Sequence, residues 1–94
     1  MKILVICRPR AGVDARTQIA ALVAKEMEAL ARLRAAGILS EAYSPGGPGA
    51  VLFFDGDRGE TEEALRQLPL VREGLIDTEL IELHPFAGPS SRAG

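Results

Sequence analysis

Apolar residues recur along this chain with two different periods, and these periods divide it into four strands and two helices. A continuous apolar run at residues 3–7, closed by a proline and a glycine at positions 9 and 12, is typical of a central strand covered on both faces. From residue 14 to residue 36, apolar positions recur every three or four residues, which predicts one long amphipathic helix. Asp14 and Thr17 are candidates for its N-cap, and Gly37 suits a left-handed position after its end.

The second half of the chain predicts a hairpin, a short helix and a final strand. Two strand-like runs, residues 38–43 and 50–54, flank a turn rich in glycine and proline. Asp57 and Glu60 have the spacing of a helix-start capping pair, and Pro69 is expected to end the helix that follows. The alternation from residue 78 to residue 84 predicts a strand with Leu80, Glu82 and His84 on one face and Glu79, Ile81 and Leu83 on the other.

The resulting order, βαββαβ, predicts a ferredoxin-like α+β fold with a four-stranded antiparallel sheet and both helices on one face. A chain of 94 residues suits a single domain, here residues 1–86, followed by a flexible or partner-crossing tail at residues 87–94. Two helices cover only one face of such a sheet. We therefore expect a homodimer, or a higher oligomer, in which the exposed sheet faces of two copies meet.

Composition narrows the class of partner. Hydrophobic residues make up 47% of the chain, without tryptophan, so the core is expected to be aliphatic. A net charge of −2 gives no electrostatic basis for nucleic-acid binding. The sole cysteine, Cys7, cannot form an internal disulfide, and no segment is long enough for a signal peptide or a membrane span. These features predict a cytoplasmic protein that does not bind membranes.

The segment Gln67-Leu68-Pro69-Leu70, together with the strand that ends in His84-Pro85, resembles the muconolactone isomerases of the dimeric α+β barrel superfamily. The resemblance implies a cofactor-independent isomerase that shifts a proton on an unsaturated lactone bearing a carboxylate. Such chemistry needs a base, a hydrogen-bond donor to the developing enolate and a cation for the carboxylate. No metal or organic cofactor is expected.

Five side chains are candidates for these roles. His84 titrates near neutral pH unaided and is the first candidate for acid or base, although an exposed strand-end residue or a dimer contact is an alternative. Glu41 and Tyr43 lie two apart on one strand and share a face. They are candidates for a base and an enolate-stabilising hydroxyl, or they form a solvated rim of the strand. Arg8 and Arg10 are candidates to bind a substrate carboxylate, or are surface charges.

Other motifs carry less weight. Cys7 follows four aliphatic residues and is interpreted as an inert core thiol.

A non-catalytic barrel dimer that binds a small acidic or aromatic metabolite, or that serves as an assembly partner, is the alternative to the isomerase. A cofactor-free monooxygenase of polyketide aromatics, also found in this superfamily, fits less well because aromatic side chains are scarce.

Overall fold

The computed structural model describes residues 1–86 and confirms the βαββαβ order, with one extra short helix. The elements are β1 (Lys2–Pro9), α1 (Val23–Ala35), β2 (Leu39–Tyr43), β3 (Ala50–Asp55), α2 (Arg58–Leu65), α3 (Pro69–Arg72) and β4 (Ile76–Leu83). The predicted tail, residues 87–94, lies outside the described residues. Within residues 1–86, no helix combines the length and the apolar character that crossing a membrane requires.

The four strands form one antiparallel sheet in the order β2-β3-β1-β4. The central position predicted for β1 is confirmed, because β1 pairs with β3 on one side and with β4 on the other. β2 and β3 form the predicted hairpin, with an irregularity in the register between Leu39 and Glu41. This topology is that of a ferredoxin-like α+β fold.

The segment predicted as one long helix is regular only in its second part. Asp14 is the N-cap, and its side chain accepts a hydrogen bond of 3.0 Å from the backbone N–H of Arg16. A π-helical turn (Ala15–Ile19) and a 3₁₀ turn (Ala20–Leu22) precede α1. Gly37 has a φ of +77°, which confirms the predicted left-handed residue after the helix.

The second helical region confirms one prediction and corrects another. Asp57 and Glu60 form a capping box at the start of α2, in which each side chain accepts a hydrogen bond from the other residue's backbone N–H. The prediction that Pro69 ends this helix is wrong. α2 ends at Leu65, and Pro69 is the first residue of α3, where its missing N–H costs nothing because no intrahelical acceptor exists there.

Strand pairing assigns each residue to one of two sheet faces. Alternate residues of the central strand, Ile3, Val5 and Cys7, are buried beneath the helices. Leu52 and Phe54 of β3 share this covered face and complete its centre with side chains that are almost fully buried. Because residues of one strand alternate between faces, the residues between them form an open face with no helix over it.

The open face carries an apolar strip with charged margins. The strip consists of Leu4, Ile6, Val51, Phe53, Ile81 and Leu83, which are partly buried or exposed and which the strand register places on one side. Lys2 with Asp55 and Arg8 with Glu79 form ion pairs, at 3.8 and 3.1 Å, at opposite ends of the strip. This arrangement is the uncovered sheet face that the sequence predicted.

Candidate active site

A cavity of about 280 Å³ lies between α1 and the covered face of the sheet. Its walls are almost entirely apolar, and the side chains that line it from the two layers include Ile19, Val23, Met27, Leu30, Leu52 and Ile76. Two side chains with ionisable groups, Glu26 and Cys7, also line it. An apolar cavity with a few polar groups is the usual form of a small-molecule site.

Glu26 is the one charged residue among the buried residues of the described chain, with only 8% of its surface exposed. It lies on α1, three residues before Ala29 and seven before Leu33, both of which are buried. These spacings place all three residues on the same helix face, toward the sheet. The helix therefore points a carboxyl group into the apolar layer that it covers.

One oxygen of Glu26 has a defined partner in the protein. Its Oε1 accepts a hydrogen bond of 3.0 Å from the backbone N–H of Leu70, in the first turn of α3. The N-cap of that helix, Leu68, has no side chain that accepts a hydrogen bond, so Glu26 supplies the missing acceptor from a different helix. Within residues 1–86, Oε2 has no hydrogen-bond partner and is not fully enclosed, and Glu26 is one of the residues that line the cavity.

Burial raises the pKa of Glu26 above its ordinary value, because the carboxylate loses solvation in the apolar layer. The hydrogen bond from Leu70 and the charge of Arg72 oppose this increase in pKa without cancelling it. A carboxyl group with a raised pKa is a stronger base when ionised, and near neutral pH it also holds a proton more readily. Glu26 can therefore accept and return a proton.

Cys7 contributes a neutral thiol to the same cavity. Burial, and to a smaller extent the nearby charge of Glu26, raises the pKa of Cys7 to about 11. The thiolate is the nucleophilic form, so this environment keeps the side chain unreactive at neutral pH. The structure thus supports the interpretation of Cys7 as an inert core thiol, and its S–H is at most a weak hydrogen-bond donor.

The loop between β2 and β3 forms one edge of the cavity through Gly47, Pro48 and Gly49. Gly49 has a φ of +113°, and a Cβ built on it would lie 2.4 Å from the carbonyl oxygen of Cys7. Only glycine permits both this backbone conformation and this close approach to β1. The glycine-rich sequence of the turn therefore fixes the wall of the cavity against the central strand.

The structure brings two of the five predicted site residues together. The phenolic hydroxyl of Tyr43 donates a hydrogen bond of 2.5 Å to Oε1 of Glu41, as expected for residues two apart on one strand face. The strand register places both on the open face of the sheet, where 54% of the surface of Tyr43 is exposed. The hydrogen bond to Glu41, and then its charge, raises the pKa of Tyr43.

The two predicted carboxylate-binding residues are both engaged in ion pairs. Arg8 donates a hydrogen bond of 3.1 Å to Glu79, and Arg10 donates one of 3.0 Å to Asp77. All four side chains are more than half exposed. Arg8 lies on the open face, on the opposite side of the sheet from the cavity.

His84 lies just beyond the end of β4 and is exposed. Because β4 and β2 are opposite edges of the sheet, three strand spacings of about 4.8 Å, roughly 14 Å, separate His84 from the Glu41–Tyr43 pair across the sheet alone, before any offset along the strands. The cavity of Glu26 is lined by none of His84, Tyr43, Glu41, Arg8 and Arg10. The catalytic and substrate-binding roles assigned to these five residues stay predictions.

Reasoning from residue types overlooked Glu26, although the sequence contains a signal for it. Position 26 falls on the stripe of Leu22, Ala29 and Leu33, at the three- and four-residue spacings that define the buried face of α1. A carboxylate within an apolar stripe is unusual, because burial of a charge is costly unless it has a function or a partner.

Among residues 1–86, no cluster of histidine, cysteine, aspartate and glutamate forms a metal-binding group.

The fold is that of the ferredoxin-like α+β proteins. Among solved structures, it is similar to 5-chloro-2-hydroxyhydroquinone dehydrochlorinase (TftG) from Burkholderia phenoliruptrix, determined in complex with 2,5-dihydroxybenzoquinone. The TM-score is 0.71 at 16% sequence identity, and the alignment covers 92% of this chain and 96% of the dehydrochlorinase. No protein-family model matches the sequence, and no curated protein sequence is significantly similar to it.

Proposed function

We propose that this protein is a cofactor-independent enzyme that moves a proton on a small molecule held in the cavity, with Glu26 as the acid and base. The observation that carries the proposal is a buried carboxyl group, with a hydrogen-bond partner on only one of its oxygens, in the lining of an otherwise apolar cavity. An ionised Glu26 would take a proton from an acidic C–H or O–H group of the substrate. The low polarity around it favours this transfer because water does not stabilise the carboxylate there.

Two outcomes of that first proton transfer define two reaction types. If the proton returns to a different carbon, the reaction is an isomerisation, and the muconolactone isomerase resemblance makes an unsaturated lactone or a related small acid the corresponding substrate. If chloride leaves with its bonding electrons after the proton is removed, the reaction is a dehydrochlorination, the activity named for the structural neighbour. Glu26 serves as the first base in both.

The decisive experiment is proton NMR in D₂O with muconolactone and, separately, with 5-chloro-2-hydroxyhydroquinone. Isomer formation and deuterium uptake report the first reaction, and chloride release reports the second. We expect one of them to be catalysed and to fall at least 100-fold in Glu26→Gln, about 2.7 kcal/mol of transition-state stabilisation. Glu28→Gln, an exposed neighbour on the same helix, is the matched control and should retain full activity.

The candidates from the sequence enter the same experiment as variants. If His84→Ala or Tyr43→Phe abolishes turnover while Glu26→Gln does not, the catalytic centre lies outside the cavity and our assignment is wrong. Full activity in all three variants would exclude Glu26 and His84 as the base and Tyr43 as the enolate-stabilising hydroxyl. If the parent protein turns over neither substrate, the alternative function described below is favoured.

The alternative function is a non-catalytic barrel protein that binds a small metabolite. One observation favours it: the hydrogen bond from Leu70 gives Glu26 a structural role at the start of α3 that needs no chemistry. Under this alternative, Glu26→Gln retains ligand binding and no substrate is turned over. Ligand binding measured alongside the NMR assay therefore distinguishes the two functions.

We also propose that the protein forms a homodimer through the open faces of two sheets, in the cytoplasm as predicted from the sequence. The apolar strip on the open face supports this proposal, because an apolar surface with charged margins is typical of protein–protein interfaces. The structural neighbour supports it only through its shared fold. Sedimentation of the purified protein over a range of concentrations tests the proposal.

A further inference from the structure

The charge of the cavity that holds Glu26 limits which ligands it can bind. Among the described residues that line it, none is a lysine, an arginine or a histidine. Its ionisable groups are the carboxyl of Glu26 and the neutral thiol of Cys7. A ligand that enters the cavity therefore meets no positive charge and meets one group that becomes negative.

The arginines near the cavity do not supply a positive charge inside it. Arg8 and Arg10 are paired with Glu79 and Asp77. Arg72 is near enough to lower the pKa of Glu26, but it is exposed and does not line the cavity. A carboxylate inside the cavity would lose its hydration without gaining a cationic partner, and an ionised Glu26 would repel it.

The size of the cavity sets the size of the ligand. Apolar cavities of about 150 Å³ in proteins hold benzene. The cavity described here, at about 280 Å³, has room for a six-membered ring with several substituents. A ligand of that size can also place one hydroxyl or carbonyl oxygen near Glu26, which lines the cavity.

We infer that the ligand of this cavity is an uncharged, substituted six-membered ring with a hydroxyl or carbonyl group, and that the cavity discriminates against carboxylates. The inference rests on the proposed function, because it takes the Glu26 cavity as the substrate site. It narrows the substrate class of the proposed enzyme, since a lactone that carries a carboxylate arm is disfavoured and a hydroxylated aromatic ring is preferred.

A matched pair of ligands tests the inference without turnover. 4-Hydroxybenzamide and 4-hydroxybenzoate have nearly the same size and shape, and at neutral pH they differ mainly in charge. We expect calorimetry or ligand-observed NMR to show that the amide binds at least tenfold more tightly than the acid. Equal affinity, tighter binding of the acid, or no binding of the amide at millimolar concentration would each overturn the inference.

A second pair of variants locates the bound ring. Met27 lines the cavity while remaining 60% exposed, so Met27→Trp can narrow the cavity without replacing a core residue. The next residue, Glu28, is also exposed but does not line the cavity, which makes Glu28→Trp the control. We expect Met27→Trp to weaken amide binding at least tenfold and Glu28→Trp to leave it unchanged. Equal binding by the two variants would place the ligand elsewhere.

Glu26→Gln separates this inference from the proposed function. If turnover persists in that variant, the assignment of Glu26 as acid and base fails, whereas the preference for the amide over the acid still stands on the binding data. If turnover is lost but the parent protein prefers the acid, the catalytic proposal stands and the ligand class is wrong.

Discussion

The two faces of the sheet are built from the same four strands, yet the charged groups near each face have opposite environments. On the covered face, one carboxyl group, that of Glu26, lies in an apolar layer with a single N–H donor as its partner. On the open face, the charges at the margin pair with each other, as in Lys2 with Asp55 and Arg8 with Glu79. Exposed pairs of this kind have little effect on stability or chemistry, whereas a desolvated carboxyl group is suited to proton transfer.

The largest expected effect comes from paired truncations on the two faces. Phe54 is fully buried beneath the helices, and its sequence neighbour Phe53 lies partly exposed on the open face. We expect Phe54→Ala to lower the free energy of unfolding by about 3–5 kcal/mol, because it leaves a cavity in the core. Phe53→Ala should cost about 1–2 kcal/mol, since less of its surface is removed from water.

Urea denaturation followed by circular dichroism measures both losses. If Phe54→Ala does not fold, its failure still agrees with the prediction, provided that Phe53→Ala folds and unfolds cooperatively. Equal losses at a protein concentration at which the chain is monomeric would contradict the comparison, whereas a loss for Phe53→Ala that grows with protein concentration would reflect its burial in the proposed homodimer.

The next effect concerns the association of two copies. Ile81 belongs to the apolar strip and is 36% exposed, so Ile81→Lys places a charge on the open face without disturbing the core. If that face is the dimer interface, the buried lysine should weaken association by about 3 kcal/mol, on the order of 100-fold in dissociation constant. Sedimentation velocity of the parent and the variant measures this change.

Glu82→Lys is the matched control, because Glu82 is exposed and the register places it on the helix side of the same strand. It should leave the association unchanged. Dissociation caused equally by both substitutions would point to the edge of the sheet, and not to its open face, as the interface.

Much of the fold could be predicted from the sequence because its signals are local. The capping box joins Asp57 and Glu60, which are three apart in sequence, and the left-handed Gly37 lies two residues after the end of α1. Pro69 shows where local reasoning fails. A proline is compatible with the residue after a helix and with the first residue of a new one, and tertiary packing of α3 decides between them.

The candidate site was far less predictable because its decisive contact is distant in sequence. Glu26 and Leu70 are 44 residues apart, and nothing near position 26 indicates that a backbone N–H will meet its carboxyl group. His84 and Arg8 attracted attention through their residue types, which say what a side chain can do but not where the sheet places it. The register, set by pairing across the whole sheet, places Arg8 on the open face, and His84 lies beyond the end of β4, so neither lines the cavity.

A smaller effect is expected on the dependence of stability on pH. Burial raises the pKa of Glu26 in the folded protein above its ordinary value of 4.5, so folding favours the protonated form. Its contribution to stability is complete below 4.5 and is lost as the pH rises through the folded pKa. Glu26→Gln carries no proton to lose, and its side-chain oxygen can still accept the hydrogen bond from Leu70.

The free energy of unfolding of Glu26→Gln, relative to that of the parent protein, should therefore increase as the pH rises above 4.5. The increase should be on the order of 1 kcal/mol, the usual size for one substitution. Thermal unfolding over this pH range gives the comparison. Glu28→Gln, an exposed change on the same helix, should show no such trend. A constant difference between Glu26→Gln and the parent would show that protonation of Glu26 is not linked to folding.

The smallest effect lies on the open face and should not alter stability at neutral pH. Glu41 raises the pKa of Tyr43 above its ordinary value of 10.0, first by accepting the hydrogen bond of the phenol and then through its negative charge. Glu41→Gln removes the charge, so the pKa of Tyr43 should fall toward 10.0. The chain has one tyrosine and no tryptophan, so the ultraviolet absorbance of the phenolate reports this residue alone. Glu28→Gln should leave the titration unchanged, and an unchanged titration in Glu41→Gln would mean that the pair does not persist in solution.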